Sequence, residues 1–228
     1  MHDPRWKPAA FATRAWMACA AAVLLVLAAC AAPPGEKFPY PPQFVEASAL
    51  PPRLLAAPAA ADSRQHFAEL RSILARQQRM EDSTRQAVLA EDHITPAMIV
   101  VPVLGEAYTE DAYPALYTLL RHAASDAWRV GDQAQDYWQR TRPWLADPRV
   151  KLYVAPIKRP SYPSGHSTTN QVWAHVLSDL FPGKRWDLFA RADAIAQHRV
   201  DAGVHFPSDV EAGKRLAKAI YAKMTHSD

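Results

Sequence analysis

Along residues 114–141 apolar side chains return at intervals of three and four: Leu116, Leu119, Leu120, Ala123, Ala127, Val130, Ala134 and Trp138. A stripe of that length is buried only along one side of a single long α-helix, so the chain is committed to an architecture in which other helices cover it. Pro114 suits the first turn, and Arg142-Pro143 is the expected stop. Neighbouring segments read the same way. Phe67, Leu70, Ile73 and Leu74 fall on one face of a helix entered at Ser63, with Arg71, Arg76 and Gln77 toward solvent; the charged stretch 79–85 ends it, and 87–92 forms a second short helix. The apolar run 98–104 is read as a buried connector or helix. Residues 167–181 and 186–199 give two more helices, and Ser208-x-x-Glu211 offers a capping box for a last one carrying Val210, Leu216, Ile220 and Met224. No stretch alternates in the manner of a strand. The expected fold class is therefore an all-α helical bundle.

The first 29 residues do not belong to that bundle. Arg5, Lys7 and Arg14 precede an apolar run containing Val23-Leu24-Leu25-Val26-Leu27, the layout of a secretory signal. Leu27-Ala28-Ala29-Cys30 resembles a bacterial lipobox, which makes Cys30 the expected lipidation site and the membrane a partner through that anchor; a plain signal peptide or an uncleaved anchor are the alternatives. Residues 30–62, rich in Pro and Ala, read as a tether whose later part can lie along the domain, and 63–228 as the domain itself. The location that follows is the periplasmic side of the bacterial envelope, on the outer membrane by preference.

Cysteine and charge narrow the function. Cys19 leaves with the signal and Cys30 carries lipid, so neither thiol remains to stabilise the domain. Removing residues 1–29 takes away three basic residues and one acidic residue, lowering the formal charge from +3 to +1. A near-neutral chain of this kind is not expected to bind nucleic acid.

The chemistry gathers in residues 161–209. Pro163-Ser164-Gly165-His166 opens a helix, and Arg199, His205 and Asp209 follow at the spacing R-x5-H-x3-D. A guanidinium gives forked donors to an oxyanion, Ser164 and the Gly165 N–H add donors at a helix start, and a histidine held by a carboxylate can act as nucleophile or base. Each part has a plainer explanation alone: His166 as a turn residue, Arg199 with Asp209 as a structural ion pair. His205 and Asp209 as a metal pair one helical turn apart is disfavoured because no further ligand pattern accompanies them. His122 and His175 lie within helices and read as surface or core residues.

Taken together, these residues resemble the second and third signature motifs of the type 2 phosphatidic acid phosphatase and vanadium haloperoxidase superfamily, and most closely the bacterial class A non-specific acid phosphatases. The likeness also takes in Leu50-Pro51-Pro52, Ala90-Glu91-Asp92, Arg142-Pro143-Trp144 and Ser161-Tyr162. It implies an α-helical, metal-independent acid phosphatase acting on small phosphate monoesters without a cofactor. At matching positions it implies that His205 attacks phosphorus, Asp209 holds its other ring nitrogen, His166 handles the leaving-group proton, and Arg142, Arg199, Ser164 and Gly165 bind the equatorial oxygens. Two departures stand out. The first motif of the superfamily is K-x6-R-P, and Gln135 occupies the lysine position; His198 stands where serine is usual.

On a continuous helix, residues 135 and 142 would share a face about 10 Å apart. Gln135 then keeps one hydrogen bond to the ligand but not the charge. Lys158 and Arg159, just before Pro163, are the candidates to compensate, while Arg140 is expected to point away. His198 is read as packing at a helix end, against the alternative of a phosphate contact. A lipid phosphate or pyrophosphate phosphatase of the envelope, a vanadate-dependent haloperoxidase and a catalytically weak anion-binding lipoprotein are the competing functions.

Overall fold

The long amphipathic helix is present, but the fold is arranged around a different one. In the computed structural model, residues 40–226 are described, and none of them lies in a strand. The helices are α1 (Arg64–Gln78), α2 (Asp82–Ala90), α3 (Ala97–Leu104), α4 (Pro114–Trp138), the single turn α5 (Pro143–Ala146), α6 (Gly165–Leu180), α7 (Arg185–Asp201) and α8 (Pro207–Thr225). The signal, Cys30 and the first part of the tether lie outside the described residues.

Helix α6 packs against α4, α7 and α8 at once. Its C-terminal half is apolar: Trp173 and Leu177 are buried with Leu120, Leu188 and Ile195, and the indole N–H donates to Leu120 O at 2.7 Å. Its N-terminal half is buried yet polar, running Ser167-Thr168-Thr169-Asn170-Gln171. Small hydroxyl residues let α8 approach closely. A Cβ at Gly213 would sit 2.8 Å from both Ser164 O and Ser167 Cβ, so only glycine fits without displacing the start of α6.

Three expectations about local structure are corrected. Helix α4 ends at Trp138, because Gln139 turns left-handed (φ 49°, ψ 33°) and sends its N–H back to Gln135 O. Arg142-Pro143 starts the next turn instead of stopping this one, so residues 135 and 142 do not lie on one helix. Helix α8 begins with Pro207 at its first position and Asp209 at its third, the carboxylate accepting the Phe206 N–H at 2.8 Å; Ser208 lies inside the first turn and is not the cap. Phe67 is 49% exposed, because α1 turns His66 and Glu69 inward with Leu70 and Ile73.

The domain also starts earlier than 63. Val45, Leu50 and Leu55 are buried against α4 and α8 with Tyr162, and the N–H groups of Gln43, Phe44 and Val45 all donate to the Asp126 carboxylate. Asp126 is wholly buried in α4, so these three donors supply the solvation it has lost. The later part of the Pro/Ala-rich segment thus lies along the domain, through the buried side chains of Val45, Leu50 and Leu55, and groups with it in one compact unit.

Candidate active site

The spacing R-x5-H-x3-D works because a helix end, a tight turn and a helix start follow one another. Arg199 lies in the last turn of α7, and its carbonyl receives the N–H groups of Val204 and His205, both at 3.3 Å. Gly203 makes the reversal at φ +77°, where a Cβ would meet Lys151 O at 2.4 Å. Phe206 then caps α8, and Asp209 follows within its first turn. Arg199, His205 and Asp209, ten residues apart at most, are all buried.

The His205 ring is fixed at both nitrogens. Nδ1 lies 2.8 Å from Ser161 O, an atom that only accepts, so the proton sits on Nδ1 and the Nε2 lone pair points toward Arg142 Nη1 at 3.3 Å. Asp209 Oδ2 is 3.5 Å from Nδ1, a longer contact than the Ser161 carbonyl provides. That carboxylate is itself held: Oδ2 accepts from the Ser161 hydroxyl and the Phe206 N–H, and Oδ1 from Arg140 Nη1 at 2.5 Å. Burial, reinforced by the Arg142 charge, pushes the His205 imidazole down to about 4.

Arg140 therefore does not point away. The extended backbone after Gln139 sends residues 140 and 142 to the same side, one behind the histidine and one in front of it. Arg140 bridges Asp209 and Glu69, the latter at 2.8 Å, and its guanidinium lies 3.9 Å above the Phe206 ring. Arg142 is enclosed by carbonyls: Nε donates to Arg159 O at 2.7 Å, Nη2 to Pro160 O at 3.0 Å and Nη1 to Val204 O at 2.9 Å. No carboxylate is bonded to it among the described residues, and burial lowers its pKa to about 10.

On the other side of the site, Arg199 is 0% exposed. Its Nη2 donates to Val88 O at 2.7 Å, its Nη1 reaches Asp92 Oδ1 only at 3.5 Å, and its Nε has no partner. His166, in the first turn of α6, sends Nε2–H to Glu91 O at 3.0 Å, which leaves Nδ1 as its second functional atom. Its pKa is well below the usual histidine range because it is buried and feels the charges of Arg199 and His205. Ser164 caps α6 by accepting the Ser167 N–H at 3.3 Å, and its own N–H donates to Asp209 O at 3.0 Å, tying the Ser164-Gly165 turn to α8.

Glu69 is not singled out by the sequence, and Ser161, Arg140 and Glu91-Asp92, named there, are given no role in the site. Ser161 orients His205, Arg140 and Glu69 hold Asp209, and the pair Glu91-Asp92 contacts His166 and Arg199 from the end of α2. His198 is no mere packing residue: its Nδ1 lies 2.7 Å from Glu91 Oε2, while Arg191 takes Oε1 at 2.8 Å. Gln135 gives its amide N–H to Pro163 O at 2.9 Å and accepts from Arg159 Nε at 3.2 Å, so Arg159 sits over the position read as a missing lysine. Lys158 is exposed and makes no bond to these residues. His122 packs against Tyr40 with the rings tilted by 42° and His175 stacks on Tyr221, both away from the cluster.

Residues 115–226 match the PAP2 superfamily. The non-specific acid phosphatase of Salmonella typhimurium is 29% identical over 133 residues, 56% of this chain and 53% of that protein. The one from Providencia stuartii is 29% identical over 161 residues, 68% of this chain and 64% of that protein. The chain thus spans just over half to just under two thirds of these curated relatives. Among solved structures, a bacterial vanadium-dependent iodoperoxidase superposes with a TM-score of 0.59 at 20% identity, covering 77% of this chain and 52% of that one. That likeness extends to the fold alone.

Proposed function

From the match of residues 115–226 to the PAP2 superfamily we propose that the protein is an acid phosphatase that releases phosphate from small monoesters through a phosphohistidine, without a metal. The observation that carries this reading is a pair of buried guanidinium groups: Arg142 has no carboxylate bonded to it among the described residues, and Arg199 has only a long 3.5 Å contact to Asp92 and an unpartnered Nε–H. Buried cations left so poorly compensated call for an anion between them.

Once the substrate oxygens take the Arg142 Nη1 hydrogen from it, the neutral, Nδ1-protonated His205 presents its Nε2 lone pair to phosphorus, and the P–N bond forms as the ester P–O bond breaks. Ser161 O and, behind it, Asp209 stabilise the positive ring that results. Charge on the equatorial oxygens is met by Arg142, Arg199 and the Ser164-Gly165 turn. The departing oxygen takes a proton from His166 Nδ1. An adjacent phosphate raises the affinity of that imidazole for a proton, so His166 charges when substrate is present. In the second half His166 accepts a proton from water, whose oxygen attacks phosphorus and frees His205 and inorganic phosphate.

Attachment through Cys30 to the periplasmic side of the envelope completes the proposal; no described helix is long and apolar enough to cross a membrane. The test is hydrolysis of p-nitrophenyl phosphate and of a short-chain phosphatidic acid by the purified chain, with EDTA present, against His205→Ala. Monoester turnover that survives EDTA and disappears in the variant is the expected result. Turnover that persists in His205→Ala, or is lost with EDTA, rejects the mechanism, and hydrolysis of the lipid alone moves the substrate class to lipid phosphates.

A further inference from the structure

The site described above has two arginines, yet much of their donor capacity is already committed. Arg142 gives Nε, one Nη1 hydrogen and one Nη2 hydrogen to carbonyls and a second Nη1 hydrogen to His205; Arg199 gives one hydrogen to Val88 O. A phosphate dianion offers more lone pairs than these leave donors. A third guanidinium stands next to them. Arg159 Nε donates to Gln135 Oε1 at 3.2 Å and lies 3.1 Å from Asp132 Oδ1, while Nη2 reaches Asp132 O at 3.0 Å and Asp136 Oδ1 at 2.8 Å. Its Nη1 has no bond among the described residues.

Gln135 links this group to the site. It is buried, and its amide nitrogen holds Pro163 O, the carbonyl immediately ahead of Ser164. The backbone carbonyl of Arg159 is at the same time the acceptor for Arg142 Nε. The Arg159 side chain is therefore moored between the start of α6 and Arg142, close enough for its charge to lower the pKa of Arg142. One of its two counter-ions is weakly placed: the Asp136 side chain is 62% exposed, where an ion pair is screened and easily exchanged, while the Asp132 side chain is 19% exposed.

We propose that Arg159 is a third phosphate-binding cation of this pocket, seated over α4 by the Gln135 amide and held by Asp132 and Asp136 until a dianion competes for it. The proposal rests on the phosphatase reading for the identity of its ligand. It makes the glutamine a bracket for a cation delivered from the neighbouring loop. It also makes the two aspartates a brake: weakening them frees the guanidinium for the anion.

The experiment is calorimetric titration of the full purified chain with inorganic phosphate, alongside p-nitrophenyl phosphate kinetics, for wild type, Arg159→Ala, Lys158→Ala, Asp136→Asn and the double variant Arg159→Ala/Gln135→Lys. Arg159→Ala is expected to weaken phosphate binding about tenfold or more, Asp136→Asn to tighten it about twofold, and the lysine to restore most of the loss. Asp136→Asn separates this role from a structural ion pair, because mere loss of a structural pair does not tighten phosphate. Arg159→Ala within twofold of wild type, or a loss confined to Lys158→Ala, overturns the proposal. Wild type that binds phosphate but hydrolyses no ester rejects the phosphatase reading while the affinities still decide on Arg159. Wild type that binds no phosphate overturns both.

Discussion

Replacing Arg140 by methionine should damage the fold before it touches the chemistry. The arginine side chain is 5% exposed and pairs with two carboxylates that are themselves buried, Asp209 at 0% and Glu69 at 10%. Methionine preserves most of the apolar stem against Phe206, so little cavity is created and the electrostatic loss dominates. Removing one partner from a buried ionic cluster costs about 3–5 kcal/mol, because the carboxylates stay behind without their cation. For a domain of this size each kcal/mol moves the melting temperature by about 2–4 °C, so a fall of about 10 °C is expected in thermal unfolding followed by circular dichroism. Adding Glu69→Gln should recover part of it by removing one stranded charge. A loss below about 1 kcal/mol, or no recovery in the double variant, would mean that solvent already compensates these carboxylates and that Arg140 does not hold Asp209 in place.

Two further outcomes follow from the same geometry. The unfolded imidazole of His205 titrates near 6.5 and the folded one near 4, so between those values the unfolded chain binds the extra proton. Its stabilising contribution is complete above about pH 6.5 and declines as pH falls, by about 2 kcal/mol at pH 5. Urea midpoints at pH 7 and pH 5 should therefore differ less in His205→Asn than in wild type, and an equal difference removes His205 from the acid response. Gly213→Ala should cost about 1–3 kcal/mol by overpacking and also lower monoester turnover, since the new methyl group is aimed at Ser164 O and displaces the anion-binding turn. Unchanged turnover at reduced stability would show that the turn tolerates the shift.

What could be read from the sequence was what is local along the chain. Arg199, His205 and Asp209 sit within one helix end, one turn and one helix start, so their spacing alone carries their proximity, and Gly203 marks the turn. The site residues that escaped notice are joined to it by contacts across long stretches of chain. Nothing at Gln139 signals a left-handed residue, so α4 read as continuing to Thr141 and Arg140 seemed to fall on its far face. Pro143 read as a stop when it is the first residue of the next turn. The prolines around Val45, Leu50 and Leu55 allow the segment to lie along the domain but do not say which side chains are buried there. Phe67 matched the apolar stripe of α1, but tertiary structure gave the inward place to Glu69, whose value lies in a partner some seventy residues away.

The anchoring of the N-terminal segment on Asp126 bears on how this domain responds to pulling or trimming. Any load carried through residue 40 enters at the middle of α4, about 14 Å along the helix axis from Gln135, so a tug from upstream is taken by the backbone amides of residues 43–45 before it can disturb the catalytic cluster. Cutting the chain at Ser63 would do the reverse. It would strip an apolar cover from two helices and strand a buried carboxylate, turning an apparently harmless deletion of proline-rich sequence into the removal of a keystone.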